Sequence, residues 1–394
     1  MTAPRTILYT GKGGVGKTSV AACTARRLAA SGVRTLALST DPAHSLGESL
    51  GAELGGEPIA LGGGLWAQQV DAQHELERHW SAVQDWLARS LLDRGVSPIR
   101  AEELTVPPGM DELFSLLSLQ DACESGRWDA IIVDCAPTGE TLRLLSFPEI
   151  ARWWLEKVFP AERRILAAAG PLTRALLDIE LPGHPVFEEL QRLSSKLIAM
   201  NQFLRDHDRS TIRLVMNPDR MVIGEAMRTF TYLNLYGYLT DAVIVNRVLP
   251  AEVGDYFAAW REVQEQQLDL ARSAFEPVPV LCAPYFEREV LGAEMLDRLA
   301  SALFDQDGID PGAVLHRSVT QHFELDSEHA RLRLALPLAR KSEINVKKIG
   351  HELVVRVDGH KRTISLPGAL ASYRPCGARF SDGALEVTFD AVRN

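Results

Sequence analysis

The run Gly11-Lys12-Gly13-Gly14-Val15-Gly16-Lys17-Thr18 follows a short β-branched apolar stretch, Thr6 to Tyr9. It precedes a helical pattern that places Val20, Cys23, Thr24 and Leu28 on one face. A strand, a glycine-rich turn and a helix in that order form the context of a phosphate loop. Small residues let backbone N–H groups close around phosphate oxygens at the positive end of the helix. Gly11, four intervening residues and then Gly16-Lys17-Thr18 meet the Walker A spacing. Lys17 then supplies a cation to the outer phosphates, and Thr18 a hydroxyl to Mg²⁺. The bland alternative, a glycine-rich turn with no nucleotide, is disfavoured by the length and placement of the pattern.

A loop of this kind needs a parallel sheet behind it, and the chain supplies one. Thr35 to Thr40, Leu65 to Val70, Asp129 to Asp134, Ile212 to Met216, Ala242 to Val245 and Val278 to Cys282 read as apolar strands, most of them separated by helical segments. Such alternation predicts an α/β fold, a doubly wound and mostly parallel sheet with helical insertions, and the second lysine of the loop, Lys12, makes its Walker A sequence the deviant type. Asp41-Pro42-Ala43-His44-Ser45 follows one strand, and Asp134 ends another; the C-terminal edge of an open sheet is where ligands sit. An apolar strand that ends in Asp is the Walker B arrangement.

Two helical insertions interrupt the alternation. One spans about 71–125 and carries Leu76, Trp80, Val83, Trp86 and Leu87 at helical spacing, then Met110 to Leu119 behind Pro107-Pro108-Gly109. The other spans about 150–205 and includes Trp153, Trp154, Phe159, Leu172 and Ile179. The segment Gly51 to Gly64 reads as a link. After a linker at 305–317 the period becomes strand-like, so 318–394 is expected to form an all-β sandwich beside an ATPase domain of 1–304.

The net charge of -10 opposes a nucleic-acid backbone as the main partner. No apolar run reaches the roughly 18 to 20 residues a membrane span needs, and no signal-peptide pattern precedes the first strand. The five cysteines are scattered and never spaced CxxC, which argues against a zinc site or a disulfide framework. A cytoplasmic location is the expectation.

Three ordered motifs, GKGGVGKT at 11–18, STDPAHSLGESLG at 39–51 and DCAPTGETLRLL at 134–145, resemble the ArsA-type ATPases. That family includes the arsenical pump ATPase and the targeting factors for tail-anchored membrane proteins. The resemblance implies ATP and Mg²⁺ as ligands, held by Gly11 through Thr18, with Asp134 reaching the metal through water. It implies a homodimer in which Lys12 crosses to the partner's nucleotide, while Asp41 orients the attacking water. Pro137 to Gly139 would form a second switch loop, and Asn246 would bind adenine. Asp219 falls where the targeting factors carry a glutamate near the nucleotide, and Ser45 where the eukaryotic ones carry Asn. His44 either contacts a switch element or packs.

The stretches Arg362 to Pro367 and Ala378 to Leu385 resemble the α-crystallin domain of small heat-shock proteins. The chain ends at Asn394 without the Ile-x-Ile tail those chaperones use for large assemblies. Together these features predict a dimeric switch ATPase that chaperones or targets hydrophobic helical clients, with a membrane receptor left open. The alternative is the ATPase subunit of an arsenite or antimonite efflux pump, which the scattered cysteines and the lone phosphate loop disfavour. A partition ATPase needs a basic surface or an amphipathic anchor, neither of which the sequence offers.

Overall fold

A computed structural model describes residues 3–41, 45–71, 110–136, 184–317, 321–325, 329–350, 352–366 and 373–391, with isolated helical positions between 75 and 88. The chain forms two compact units. One comprises 1–69, 126–142 and 204–394, and the other 70–125 and 143–203.

The first unit is built on an eight-stranded sheet. Its strands are β1 (Arg5–Thr10), β2 (Thr35–Ser39), β3 (Ile59–Gly62), β4 (Leu65–Gln69), β5 (Ala130–Asp134), β6 (Ser210–Met216), β7 (Thr240–Val248) and β8 (Val280–Pro284). They lie in the order β3-β4-β2-β5-β1-β6-β7-β8, and every pairing is parallel except that of β3 with β4. The expected doubly wound, mostly parallel sheet is therefore observed. β1, β2, β5 and β6 are almost continuously buried, which is why they read as unbroken apolar runs. The link expected at 51–64 instead contains β3, an edge strand.

Helix α1 (Lys17–Ala30) buries the anticipated face of Val20, Cys23, Thr24 and Leu28. Full burial of a Val or Leu side chain contributes about 1.5–3 kcal/mol, so this face fixes the helix to the sheet and with it the loop at its start. Continuing along the chain, the helices are α2 (Ser45–Leu50), α3 (Met110–Glu124), α4 (His184–Leu204), α5 (Arg220–Tyr236), α6 (Ala258–Phe275) and α7 (Gly292–Ala300).

At the end of the sheet opposite the phosphate loop lies a buried cluster of charges. Arg213 and Asp241, both fully buried on β6 and β7, pair at 3.2 Å. Arg5 joins Asp241 at 3.3 Å, and Arg213 donates to the Tyr9 hydroxyl at 3.1 Å. The same arginines donate to the carbonyls of Gly312 and Ala313, and Leu315 N–H donates to Asp241 Oδ2. The stretch after α7 is thus hydrogen-bonded to the sheet by buried charges.

Beyond it come β9 (Gln321–Leu325), β10 (His329–Ala335), β11 (Ile344–Ile349), β12 (Glu352–Val357), β13 (His360–Ser365), β14 (Tyr373–Ser381) and β15 (Ala384–Ala391). They make a four-stranded sheet in the order β14-β15-β10-β9 and a three-stranded sheet β11-β12-β13, all antiparallel, as the strand-like period implied. Ala330, Leu332 and Leu334 of β10 are fully buried while their neighbours face out.

This β region docks on α5. Arg362 donates to the Leu235 carbonyl and to Gln321 Oε1, Thr231 donates to the Pro337 carbonyl, and the His360 ring stacks on Tyr232 at 3.8 Å. Gly237 ends α5 with φ 82, a left-handed backbone that favours glycine, and a Cβ there would crowd Arg362 Nη2 at 3.2 Å.

In the second unit, Phe114, Leu116, Leu117 and Leu119 of α3 are buried, as are Val186, Leu193, Leu197 and Met200 of α4. Lys196 pairs with Asp121 between these helices at 2.7 Å. Leu76, Trp80, Val83, Trp86 and Leu87, and Trp153 to Ile179 of the second insertion, lie outside the described residues. Among the described residues no helix is long and apolar enough to cross a membrane.

Candidate active site

The phosphate loop joins the end of β1 to the start of α1, and each end of it is fixed by contact. At Gly11 a Cβ would fall 2.1 Å from the Val215 carbonyl of β6, so only glycine allows the chain to pass. Gly16 adopts the left-handed conformation (φ 93, ψ 30) at the N-cap of α1, and a Cβ there would fall 2.3 Å from Asn246 Nδ2. Between them, a Cβ added at Gly13 or Gly14 would meet nothing within 4 Å, leaving open space over the loop.

Lys17 is 5% exposed and its ammonium donates to the Lys12 carbonyl at 3.3 Å, drawing the side chain back over the loop. Lys12 is different. Its side chain is 42% exposed and its ammonium lies 3.7 Å from Glu225 Oε2 on α5.

Asp134 closes β5 at the same sheet edge and is fully buried. Neither carboxylate oxygen has a partner of full hydrogen-bond geometry, although the Thr18 hydroxyl comes close enough to favour the charged form. Burial dominates and pushes this carboxyl up to about 7, with Thr18 and Lys17 opposing and Asp41 reinforcing the rise. Thr18, Lys17, Asp41 and Asp134 are therefore electrostatic neighbours.

Asp41 follows β2. Its N–H donates to Ser39 Oγ at 3.3 Å, and its carbonyl accepts from Gln69 Nε2 at 2.8 Å. Thr40 N–H donates to the Asp134 carbonyl at 2.9 Å, which ties the same turn to β5. Asn246 lies at the other side of the loop, where its Nδ2 donates to the Val15 carbonyl at 2.9 Å and its Oδ1 accepts from Arg247 N–H at 3.0 Å. Asp219 is the N-cap residue of α5, in extended backbone and without a side-chain cap bond. Pro42 to His44 and Pro137 to Gly139 lie outside the described residues.

These residues fit a nucleoside triphosphate and Mg²⁺. An orphaned buried carboxylate at Asp134 is expensive to leave unpartnered, and it lies beside the Thr18 hydroxyl of a loop whose Gly13 and Gly14 face open space.

The family model for anion-transporting ATPases of the ArsA type matches residues 4–305, and a second, for the HSP20-like domain found in ArsA proteins, matches 327–389. The chain belongs to the ArsA family. It is an ATPase with a C-terminal HSP20-like domain. Its relatives include a putative arsenical pump-driving ATPase of Chlorobaculum tepidum, 37% identical over 98% of this chain and 96% of that one. Another is the putative arsenical pump-driving ATPase 1 of Aquifex aeolicus, 35% identical over 94% and 96%. The ATPase GET3B of Arabidopsis thaliana is 30% identical over 75% of this chain and 77% of that one.

Three residues of this ArsA-type site carry no sequence signal. The Val215 carbonyl occupies the place a Cβ at Gly11 would take, Gln69 holds the Asp41 carbonyl, and Glu225 pairs with Lys12. Each acts through a partner far away in sequence, so no local pattern marks it.

Proposed function

We propose that this ArsA-family ATPase is a nucleotide-gated homodimer of the cytoplasm that shields hydrophobic helical segments of client proteins, such as tail anchors, for delivery to a membrane receptor. The observation that carries the reading is one of connectivity. The two chain segments of the second unit, 70–125 and 143–203, begin directly after Gln69 and nine residues beyond Asp134. Those strand ends are the ones that hold the Asp41 turn, through Gln69, and the buried acid. A change in what occupies the nucleotide site is thereby passed along the backbone into a helical unit rich in large apolar residues.

In this reading the backbone N–H groups of Gly13 to Lys17 and the Lys17 ammonium bind the phosphates, with Gly11 allowing the turn. Thr18 and Asp134 would hold Mg²⁺, which when bound neutralises phosphate charge. Asp41 orients the water that attacks the terminal phosphorus. Lys12 of each subunit stabilises charge on the other subunit's nucleotide in the transition state, as an arginine finger does. Asn246 faces the base side of the loop, and Asp219 contributes to the nucleotide surround. Hydrolysis then separates the subunits and releases the client.

The relative named GET3B supports the client reading. The relatives named as putative arsenical pump-driving ATPases favour a second reading, an efflux ATPase that responds to arsenite or antimonite. Against it stand the thiols. Cys23 and Cys135 are buried and their pKa values raised by desolvation, whereas soft metalloids are bound by thiolates. Cys282 and Cys376 lie on separate sheets.

The test is light scattering with and without ATP and Mg²⁺, joined to turnover of Asp41→Asn. The proposal expects an ATP-dependent dimer, and a variant that binds nucleotide yet hydrolyses at least about a hundredfold more slowly. A strict monomer under ATP and Mg²⁺, or undiminished hydrolysis, would sink it. Hydrolysis stimulated by antimonite and lost on replacing the cysteines would favour the efflux reading.

A further inference from the structure

Lys12 and Glu225 meet because their segments are anchored on one strand end. Gly11 is pressed against the Val215 carbonyl near the end of β6, and the chain that leaves β6 at Met216 enters α5 four residues later. Glu225 stands in the second turn of that helix, so the carboxylate arrives beside the first lysine of the phosphate loop. The two lysines of the loop are thus held differently: Lys17 is buried and drawn over the loop, whereas Lys12 is turned aside toward α5.

Both members of the pair are partly open to solvent, with side-chain exposures of 42% and 31%. Such a pair adds little to folding stability. Its consequence is positional, because it decides where the Lys12 ammonium waits in the free subunit. A second molecule can reach the cation, and an anion brought by that molecule competes with the carboxylate for it.

We propose that Glu225 is a positioning residue for Lys12. It holds the ammonium in cis in the free subunit and yields it to the triphosphate of a second copy of this chain when two subunits meet. The inference rests on the reading of Lys12 as a residue that acts in trans. Phosphate oxygens take the place of one carboxylate, so the lysine is never left without a counter-charge during the exchange. The carboxylate also opposes association, since each subunit gives up this contact before its lysine is delivered. Glu225 therefore sets the protein concentration at which the ATPase switches on.

The experiment measures ATP hydrolysis per subunit against protein concentration at saturating ATP and Mg²⁺, for the full-length wild type, Glu225→Gln and Lys12→Ala. Gln is a good helix former and 225 is a partly exposed position, and melting curves test that the variants fold alike. Glu225→Gln is expected to reach half-maximal turnover at a protein concentration about two- to fivefold lower than wild type, the range an exposed ion pair supports. The change falls on the concentration term and not on a loss of maximum turnover, a division that a merely structural role would not produce. An unchanged or raised half-saturating concentration overturns the proposal, as does a lowered maximum. Wild-type turnover that is independent of concentration, matched by an active Lys12→Ala, overturns the trans reading itself. Concentration-dependent wild type with an indistinguishable Glu225→Gln overturns only the role of Glu225.

Discussion

The guanidinium of Arg362, on β13 of the HSP20-like domain, donates to the carbonyl of Leu235, the penultimate residue of α5. A buried cation thus caps the negative end of a helix whose other end begins beside the nucleotide loop. One element, α5, carries the Lys12 contact near its start and the HSP20-like domain near its finish.

Replacing Arg362 with Ala is expected to cost about 2–3 kcal/mol, because the Leu235 carbonyl and Gln321 lose a charged donor in a buried site. Arg362→Lys restores the charge without the planar fork and should recover part of it. Thermal melting gives the stability, and limited proteolysis after residue 317 reports whether the HSP20-like domain has come away from α5. Wild-type melting and protection in Arg362→Ala would show that the contact contributes nothing to docking.

His360 gives the same interface a pH dependence. It stacks on Tyr232, lies 3.5 Å from the Tyr236 hydroxyl and has Asp358 nearby. Burial lowers its pKa below the ordinary 6.5, with Asp358 opposing in part. The folded state then binds fewer protons than the unfolded state between the lowered value and 6.5. Stability is complete above that window and falls as pH drops through it. Melting temperatures followed from pH 8 to pH 5.5 should decline less steeply in His360→Gln than in wild type, and parallel curves would contradict this.

The Arg213 and Asp241 pair carries a larger stake. With both side chains fully buried, Asp241→Asn leaves Arg213 and Arg5 without their counter-charge and should destabilise the sheet by about 3–5 kcal/mol. Chemical denaturation followed by tryptophan fluorescence measures it. A loss below about 1 kcal/mol would mean that water reaches the site.

The most local features were the most legible in the sequence. Gly11 to Thr18 encodes its own turn, since two glycines are demanded by close approach and a left-handed backbone, and the buried parallel strands announce themselves as apolar runs. β3 was hidden because Ile59–Gly62 is a half-exposed edge strand of four residues among glycines. Only Ala378 to Ser381 of β14 could be read in advance, through the resemblance to the α-crystallin domain, because the strand is exposed along most of its length and is interrupted by a bulge between Pro375 and Gly377, so no alternation marks it. Arg213 and Asp241 look like ordinary charges in their strands, and only the register of β6 and β7 brings them together. Of the residues proposed for the site, Lys17, Thr18 and Asp134 were candidates from local sequence alone. Gln69 and Glu225 could not, because their roles depend on residues 28 and 213 positions away in the chain.

The most direct measurement of the central claim is binding of a fluorescent peptide with a tail-anchor-like hydrophobic helix to purified Asp41→Asn protein, in ATP with Mg²⁺ and in ADP. The account predicts binding at least about tenfold tighter in ATP, matching a nucleotide coupling of about 1–3 kcal/mol, and loss of that preference when Lys12→Ala is added. Equal affinity in ATP and ADP, or no binding in either, would contradict it.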